Sequence, residues 1–232
     1  MLKYEFEEET FEYNKQTQYV LKHISINPSI LEFGCHSGLL SKILINKGKC
    51  VTGFDNDEDA IQKAKERNVN AFCTDLNKIE SWEGYIKDKK FDSILFLHIL
   101  EHLYNPLEIV KSSIKYLNSD GVIIIALPNI CNARNRFSIS LKGKFEYTET
   151  GVMDNTHIRF FTVQTANNMI KEAGLKVIDY YAPLRVNPIR EFIDQIPYIC
   201  KIRNIFKYDG PMFLPFSPNL TDVVMVFTCK LV

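Results

Sequence analysis

With 232 residues, 46% of them hydrophobic and 24% charged, the chain has the make-up of one globular domain and is neither disordered nor fibrous. Its 28 basic and 28 acidic residues cancel, so no overall field draws it to nucleic acid or to an anionic membrane. Six cysteines (Cys35, Cys50, Cys73, Cys131, Cys200, Cys229) stand singly with no CxxC pair, which argues against a zinc ribbon or dithiol motif and for reduced thiols in the cytoplasm. The first residues are acidic (Glu5, Glu7, Glu8, Glu9), unlike a signal peptide, and no apolar run approaches the ~20 residues of a membrane span.

Ile30, Leu31 and Phe33 read as a buried strand, and residues 39–47 carry apolar side chains at helical spacing up to Gly48. Between them runs LEFGCHSG, with an acid two places before one glycine and a second glycine four places later. Gly34 and Gly38 tolerate unusual backbone angles and lack bulk, so a ligand can lie against the main chain beside a helix N-terminus. A dinucleotide fingerprint would need glycines where His36 and Leu39 stand, so that reading fails on spacing. Next come a strand over 50–54, a helix capped by Asn56 or Asp57 and reaching Arg67, a short strand over 71–74 and a looser helical stretch around Trp82. Residues 91–97 form a nearly continuous apolar strand, Pro106 opens a helix running to Leu117, and Asp120-Gly121 turns the chain into a strand over 122–127.

Continuous apolar strands separated by helices imply an α/β fold, a doubly wound and mostly parallel sheet covered on both faces. A helix over 162–173 stopped by Gly174, then strands over 175–181 and 221–230 without a clean crossover helix, point to an antiparallel last strand. The whole of 1–232 reads as one domain. Two long connections, 128–160 and 182–220, follow parallel strands and should emerge at the carboxyl edge of the sheet, as insertions on the ligand side. In the second, Ile189, Phe192, Ile193, Ile196 and Ile199 have an amphipathic spacing that suits a lid, a homodimer face or a membrane-surface helix, in that order.

At the end of the second strand Asp55 can accept hydrogen bonds from both hydroxyls of a ribose. After the third, Asp75 can accept from an exocyclic adenine amine while Leu76 packs on the ring. The glycine turn, these acids and FDSILFLHILEHLYNP over 91–106 together resemble the class I S-adenosylmethionine-dependent methyltransferases over nearly the whole chain. The likeness is strongest to the branch with the ubiquinone-biosynthesis O-methyltransferases and the small methyltransferases of bacterial glycan clusters. In that branch His-x-x-Glu-His, a Pro-Asn (Pro128-Asn129) and a later His before an aromatic pair (His157, Phe160, Phe161) recur together. The resemblance implies a seven-stranded Rossmann-like fold and S-adenosyl-L-methionine as cofactor, released as S-adenosyl-L-homocysteine. It assigns the cofactor to Glu32, Gly34, Cys35, His36, Gly38, Asp55, Asn56, Asp75, Leu76 and His98. One departure is His36, where the family usually has glycine; its Cβ narrows the approach to the methionine portion, and weakened binding is expected.

Methyl transfer to a hydroxyl benefits from a base near neutral pKa, which suits histidine. His157 is the first candidate and His98, at the end of the fourth strand, the second; Glu101 and His102 read as structural. Asp154 with His157, or His98 with His102, offers only two ligands, so no metal is expected. Arg134, Arg136 and Arg159 could grip an anionic acceptor. Without an Asn-Pro-Pro-Tyr-like segment after the fourth strand or a basic arm, the expected partner is a small-molecule acceptor, sugar-like or quinone-like, and not nucleic acid. The rival reading is a non-catalytic cofactor-binding or scaffolding protein; aminopropyl transfer on the same fold has no residue in its favour.

Overall fold

The computed structural model describes residues 8–186, 188, 192 and 221–232. Two helices precede the sheet, α1 (Glu8–Glu12) and α2 (Lys15–His23), the latter capped by Asn14 Oδ1 accepting from the Thr17 N–H. There follow β1 (Ser29–Phe33), α3 (Leu39–Asn46), β2 (Cys50–Asp55), α4 (Glu58–Glu66), β3 (Asn70–Cys73), α5 (Ile79–Glu83) and β4 (Phe91–Leu97). After a 3-10 turn (Leu100–His102) come α6 (Pro106–Ile114), β5 (Leu117–Pro128), α7 (Ala133–Lys142), α8 (Val163–Glu172), β6 (Leu175–Tyr181) and β7 (Val224–Leu231).

The seven strands form one sheet in the order β3-β2-β1-β4-β5-β7-β6. Pairs from β3 to β5 are parallel, and β7 alone is inserted antiparallel between β5 and β6. The expected doubly wound sheet with an antiparallel last strand is therefore what forms. The central strands are apolar on both faces because both are covered. On one face Phe33, Phe54, Phe96 and Trp82 pack together, and on the other Val20, Ile30, Leu44, Leu95 and Ile124 meet under α2 and α3. Phe33 stacks on Phe96 and meets Trp82 edge-on, the offset and edge geometries aromatic quadrupoles prefer.

Three sequence expectations shift. The helix opened by Pro106 ends at Ile114, and Leu117, expected as its last residue, is the first of β5. Asp120-Gly121 is no turn between elements but lies inside β5. There the register slips, with Phe91 opposite Leu117 and Ser93 opposite Val122, so the extra residues bulge out of the ladder. The last strand starts at Val224, later than the expected 221, because Thr221 and Asp222 close the stem of the preceding connection, where Arg185 pairs with Asp222. The 128–160 connection carries a helix of its own, α7. Of the amphipathic set in the second connection, Phe192 meets the Phe137 ring edge-on, and the other four lie outside the described residues.

Parallel winding brings the carboxyl ends of β1, β2, β3, β4 and β5 to one edge. Gly34, Asp55, Asp75, His98 and Asn129 all follow from that edge.

Candidate methyl-transfer site

The turn after β1 is built to expose main chain. Gly34 (φ 77°) and Gly38 (φ 73°) lie in the left-handed region, and the Gly34 and Cys35 N–H groups both donate to the Phe54 carbonyl at 2.7 and 3.0 Å. Gly38 is the N-cap of α3 and brings no side chain, so the first turn of that helix is left without a side-chain cap and can face a ligand. Arg67 Nη1 ties the Ser37 carbonyl from the far side of α4. Cys35 turns its thiol down among Ile61, Ala64, Val69 and Ala71, where burial pushes the thiol pKa well up, so only its backbone is available to a cofactor.

Glu32 is buried beneath the turn, and its Oε2 accepts from Ser41 Oγ at 2.5 Å. Burial pushes its pKa up to about 7, the Ser41 hydrogen bond opposes the rise and Asp55 adds to it. Asp55 stands at the end of β2 with the carboxylate turned toward the glycine turn. Its Oδ2 accepts from the His36 N–H at 2.7 Å and its Oδ1 from the Asp57 N–H at 3.1 Å. The expected ribose acid thus also clamps the turn, an interaction spacing alone could not reveal. Asp57, not Asn56, caps α4, with its side chain accepting from the Ala60 N–H. Asp75 is exposed, and its pKa is held down first by the Asn77 N–H it accepts from. Leu76 is buried in the main core with Trp82.

His36 has φ 47°, a left-handed angle that a histidine adopts at some cost. Its N–H holds Asp55, so the residue's backbone is useful while its Cβ is not. His36→Gly should keep the N–H and relieve the angle, tightening S-adenosylmethionine binding about three- to tenfold, the equivalent of roughly 1 kcal/mol. Isothermal titration of both proteins would check this, and equal affinities would show that the His36 side chain leaves the cofactor untouched.

The second half of the site gathers around Glu101. This carboxylate, 1% exposed, sits in the 3-10 turn after β4, and neither of its oxygens has a hydrogen-bond partner. His98, with φ 56°, places Nδ1 at 3.6 Å from Glu101 Oε1, while its Nε2 donates to Gln16 Oε1 at 2.9 Å. His157, buried, places Nε2 at 3.9 Å from the same oxygen, and its Nδ1 donates to the Val152 carbonyl at 3.1 Å. Since a carbonyl or amide oxygen only accepts, Nε2 of His98 and Nδ1 of His157 each carry a proton, and the other nitrogen of each ring is the one nearer the carboxylate. Burial lowers the His157 pKa, with Glu101 pulling the other way, so the ring is neutral at pH 7.

His102 packs edge-on against His157, and its Nδ1 donates to the Thr156 carbonyl at 3.2 Å. Donor atoms of Glu101, His102 and His157 lie within 4.8 Å of one another, so the fold assembles three groups that could hold a divalent cation. Sequence spacing showed two at a time because His157 arrives from a loop about 55 residues later. The loop is pinned by backbone: the Ile158 and Arg159 N–H groups both donate to the Glu101 carbonyl at 3.0 Å. Asp154 Oδ1 accepts from Thr156 N and Oγ1 at 2.8 and 2.6 Å, and the His157 ring has the Val152 carbonyl as its hydrogen-bond acceptor. Arg159 is spent on the Tyr104 carbonyl, through Nε and Nη2, which leaves it poorly placed to grip an acceptor. Glu101 and Gln16 are the site groups that sequence reasoning underrated or missed, the first read as structural and the second carrying no motif.

Comparison with known proteins identifies the family. A family model described as a methyltransferase domain matches residues 6–180. A ubiquinone biosynthesis O-methyltransferase of Coxiella burnetii is 26% identical over 189 residues, covering 72% of this chain and 74% of that protein. One from Rickettsia akari is 30% identical over 171 residues, covering 70% and 64%. Among solved structures, a SAM-dependent methyltransferase from Archaeoglobus fulgidus superposes with a TM-score of 0.64 at 16% identity, over 97% of this chain and 94% of the other. Among the described residues no helix is long and apolar enough to cross a membrane. A sheet of this order, a glycine turn open beside a helix N-terminus, and a family match over three quarters of its length make this chain a member of the class I S-adenosylmethionine-dependent methyltransferases.

Proposed function

We propose that the protein methylates a hydroxyl of a small-molecule acceptor, with His157 as general base. The observation that carries this reading is the tautomer of His157: its Nδ1–H is held by the Val152 carbonyl, which leaves Nε2, 3.9 Å from Glu101 Oε1, as the basic nitrogen of the ring. When bound, S-adenosylmethionine supplies an electrophilic S-methyl group and departs as S-adenosylhomocysteine. Gly34, Gly38, Asp55, Asp75 and the backbone of Cys35 and His36 hold the cofactor at the carboxyl edge, and His98 stands beside the reacting centre. His157 Nε2 takes the acceptor's hydroxyl proton as the O–CH3 bond forms, and Glu101 stabilises the imidazolium produced. The aromatic pair Phe145 and Tyr147, which meets Phe160 beyond α7, supports an acceptor with a flat or ring-shaped apolar face.

Hydroxyl chemistry is also supported by the O-methyltransferase names of the relatives above. The balanced charge and the absence of a basic arm support a small acceptor over nucleic acid, and the single cysteines support a reducing, cytoplasmic setting. The 128–160 connection, which carries α7 and His157, supplies the acceptor side in this reading.

The test is release of S-adenosylhomocysteine across catechol-like, quinol-like and sugar hydroxyls, with and without a chelator. Turnover on a hydroxyl compound that survives chelation supports His157 acting as base without metal. Turnover abolished by chelator and restored by one divalent cation would replace that role with a Glu101–His102–His157 metal site. Tight cofactor binding without turnover on any class would favour the non-catalytic alternative.

A further inference from the structure

The N-terminal helices have no place in the sequence-derived site, yet α2 reaches it. Gln16, half-buried in the first turn of α2, receives the Nε2–H of His98 across 82 positions of sequence. His98 itself stands on a left-handed residue at the exit of β4, its N–H held by the Ala126 carbonyl, so its backbone is rigid while its ring is 39% exposed. Without a second contact such a ring could rotate and exchange tautomers.

The arm that brings Gln16 is clamped at several points. Tyr19 OH donates to Asp179 Oδ2 on β6 at 2.6 Å and lies 2.8 Å from Thr228 Oγ1 on β7. His23 Nε2 is 3.2 Å from the same Asp179 oxygen, and the Tyr19 ring stacks between His23 and Tyr181. Upstream, Glu12 of α1 pairs with Lys47 at the end of α3 at 2.9 Å. Helix α2 is therefore bolted to the antiparallel edge of the sheet, and its free face delivers one amide oxygen to one imidazole.

We propose that Gln16 is a positioning residue for methyl transfer, locking His98 in the Nε2–H tautomer with Nδ1 turned toward Glu101, and that the Tyr19–Asp179–His23 clamp holds it in place. The proposal rests on the assignment of His98 to the reacting centre. Its chemistry is simple: an amide oxygen cannot donate, so the ring nitrogen facing it must carry the proton.

The experiment uses the full chain and measures kcat with the best acceptor, cofactor Kd by titration, and the His98 tautomer from imidazole 15N shifts. Gln16→Ala and Gln16→Met are expected to lower kcat about tenfold with cofactor Kd within about twofold, as ring misplacement near a reacting centre does. In both, His98 should become a mixture of tautomers, and Gln16→Glu, which retains an acceptor oxygen, should restore the Nε2–H form. Asp179→Ala is expected to reproduce part of the kcat loss in the wild type and to add nothing in the Gln16→Ala background, because both act on one contact. Unchanged kcat and tautomer in Gln16→Ala, with His98→Ala inactive, would overturn the positioning role alone. Full activity in His98→Ala would instead overturn the functional placement of His98. Additive losses from Gln16→Ala and Asp179→Ala would remove the clamp from the proposal.

Discussion

Gly34→Ala is expected to abolish cofactor binding and to lower the melting temperature by about 10 °C, the consequence of a few kcal/mol lost in a domain of this size. Gly34 has φ 77°, where a side chain costs roughly 1 to 2 kcal/mol. A Cβ there would also stand 2.9 Å from Cβ and Cγ1 of Ile99, a further cost of about 1 to 3 kcal/mol if the neighbour has to move. Ile99 links His98 to the turn carrying Glu101 and His102, so one methyl group displaces both halves of the site. Gly48→Ala is the control: φ is 82° but nothing lies within 4 Å of the added Cβ, so only the smaller conformational cost should appear. Thermal melts and cofactor titrations of the two variants would separate the cases. Equal shifts would mean that the contact with Ile99 does not matter.

His157→Ala should lower kcat by about two to four orders of magnitude, the range a positioned base contributes, while leaving cofactor Kd nearly unchanged. The pH profile gives the sign. Burial lowers the His157 pKa from its ordinary 6.5, so the neutral, competent ring persists at pH 7 and activity falls only as pH drops through a limb below 6.5. Glu101 opposes that lowering, so Glu101→Gln should move the limb still lower and reduce kcat because the imidazolium loses its partner. A limb that stays put in Glu101→Gln, or near-normal turnover in His157→Ala, would assign the base elsewhere.

The fold and the candidate cofactor-side residues could be read from the sequence because the signals for them are local. Apolar runs such as 91–97 mark strands buried on both faces, and Gly34 and Gly38 mark a turn whose angles only small residues accept freely. Asp55 and Asp75 then fall at strand ends by simple counting. Leu117 was misplaced for the same reason in reverse: helix and strand both accept it, and its pairing with Phe91, a partner remote in sequence, decides.

The residues of the chain by themselves determine the alternation of strand and helix, the glycine turn and the candidate acids and histidines, because backbone preference and hydrophobic period act over a few positions. Tertiary structure alone decides that His157 comes to Glu101, that Asp55 holds the His36 N–H, and that Gln16 meets His98. Those contacts join segments 19 to 82 residues apart, and such pairings depend on how the whole sheet is wound.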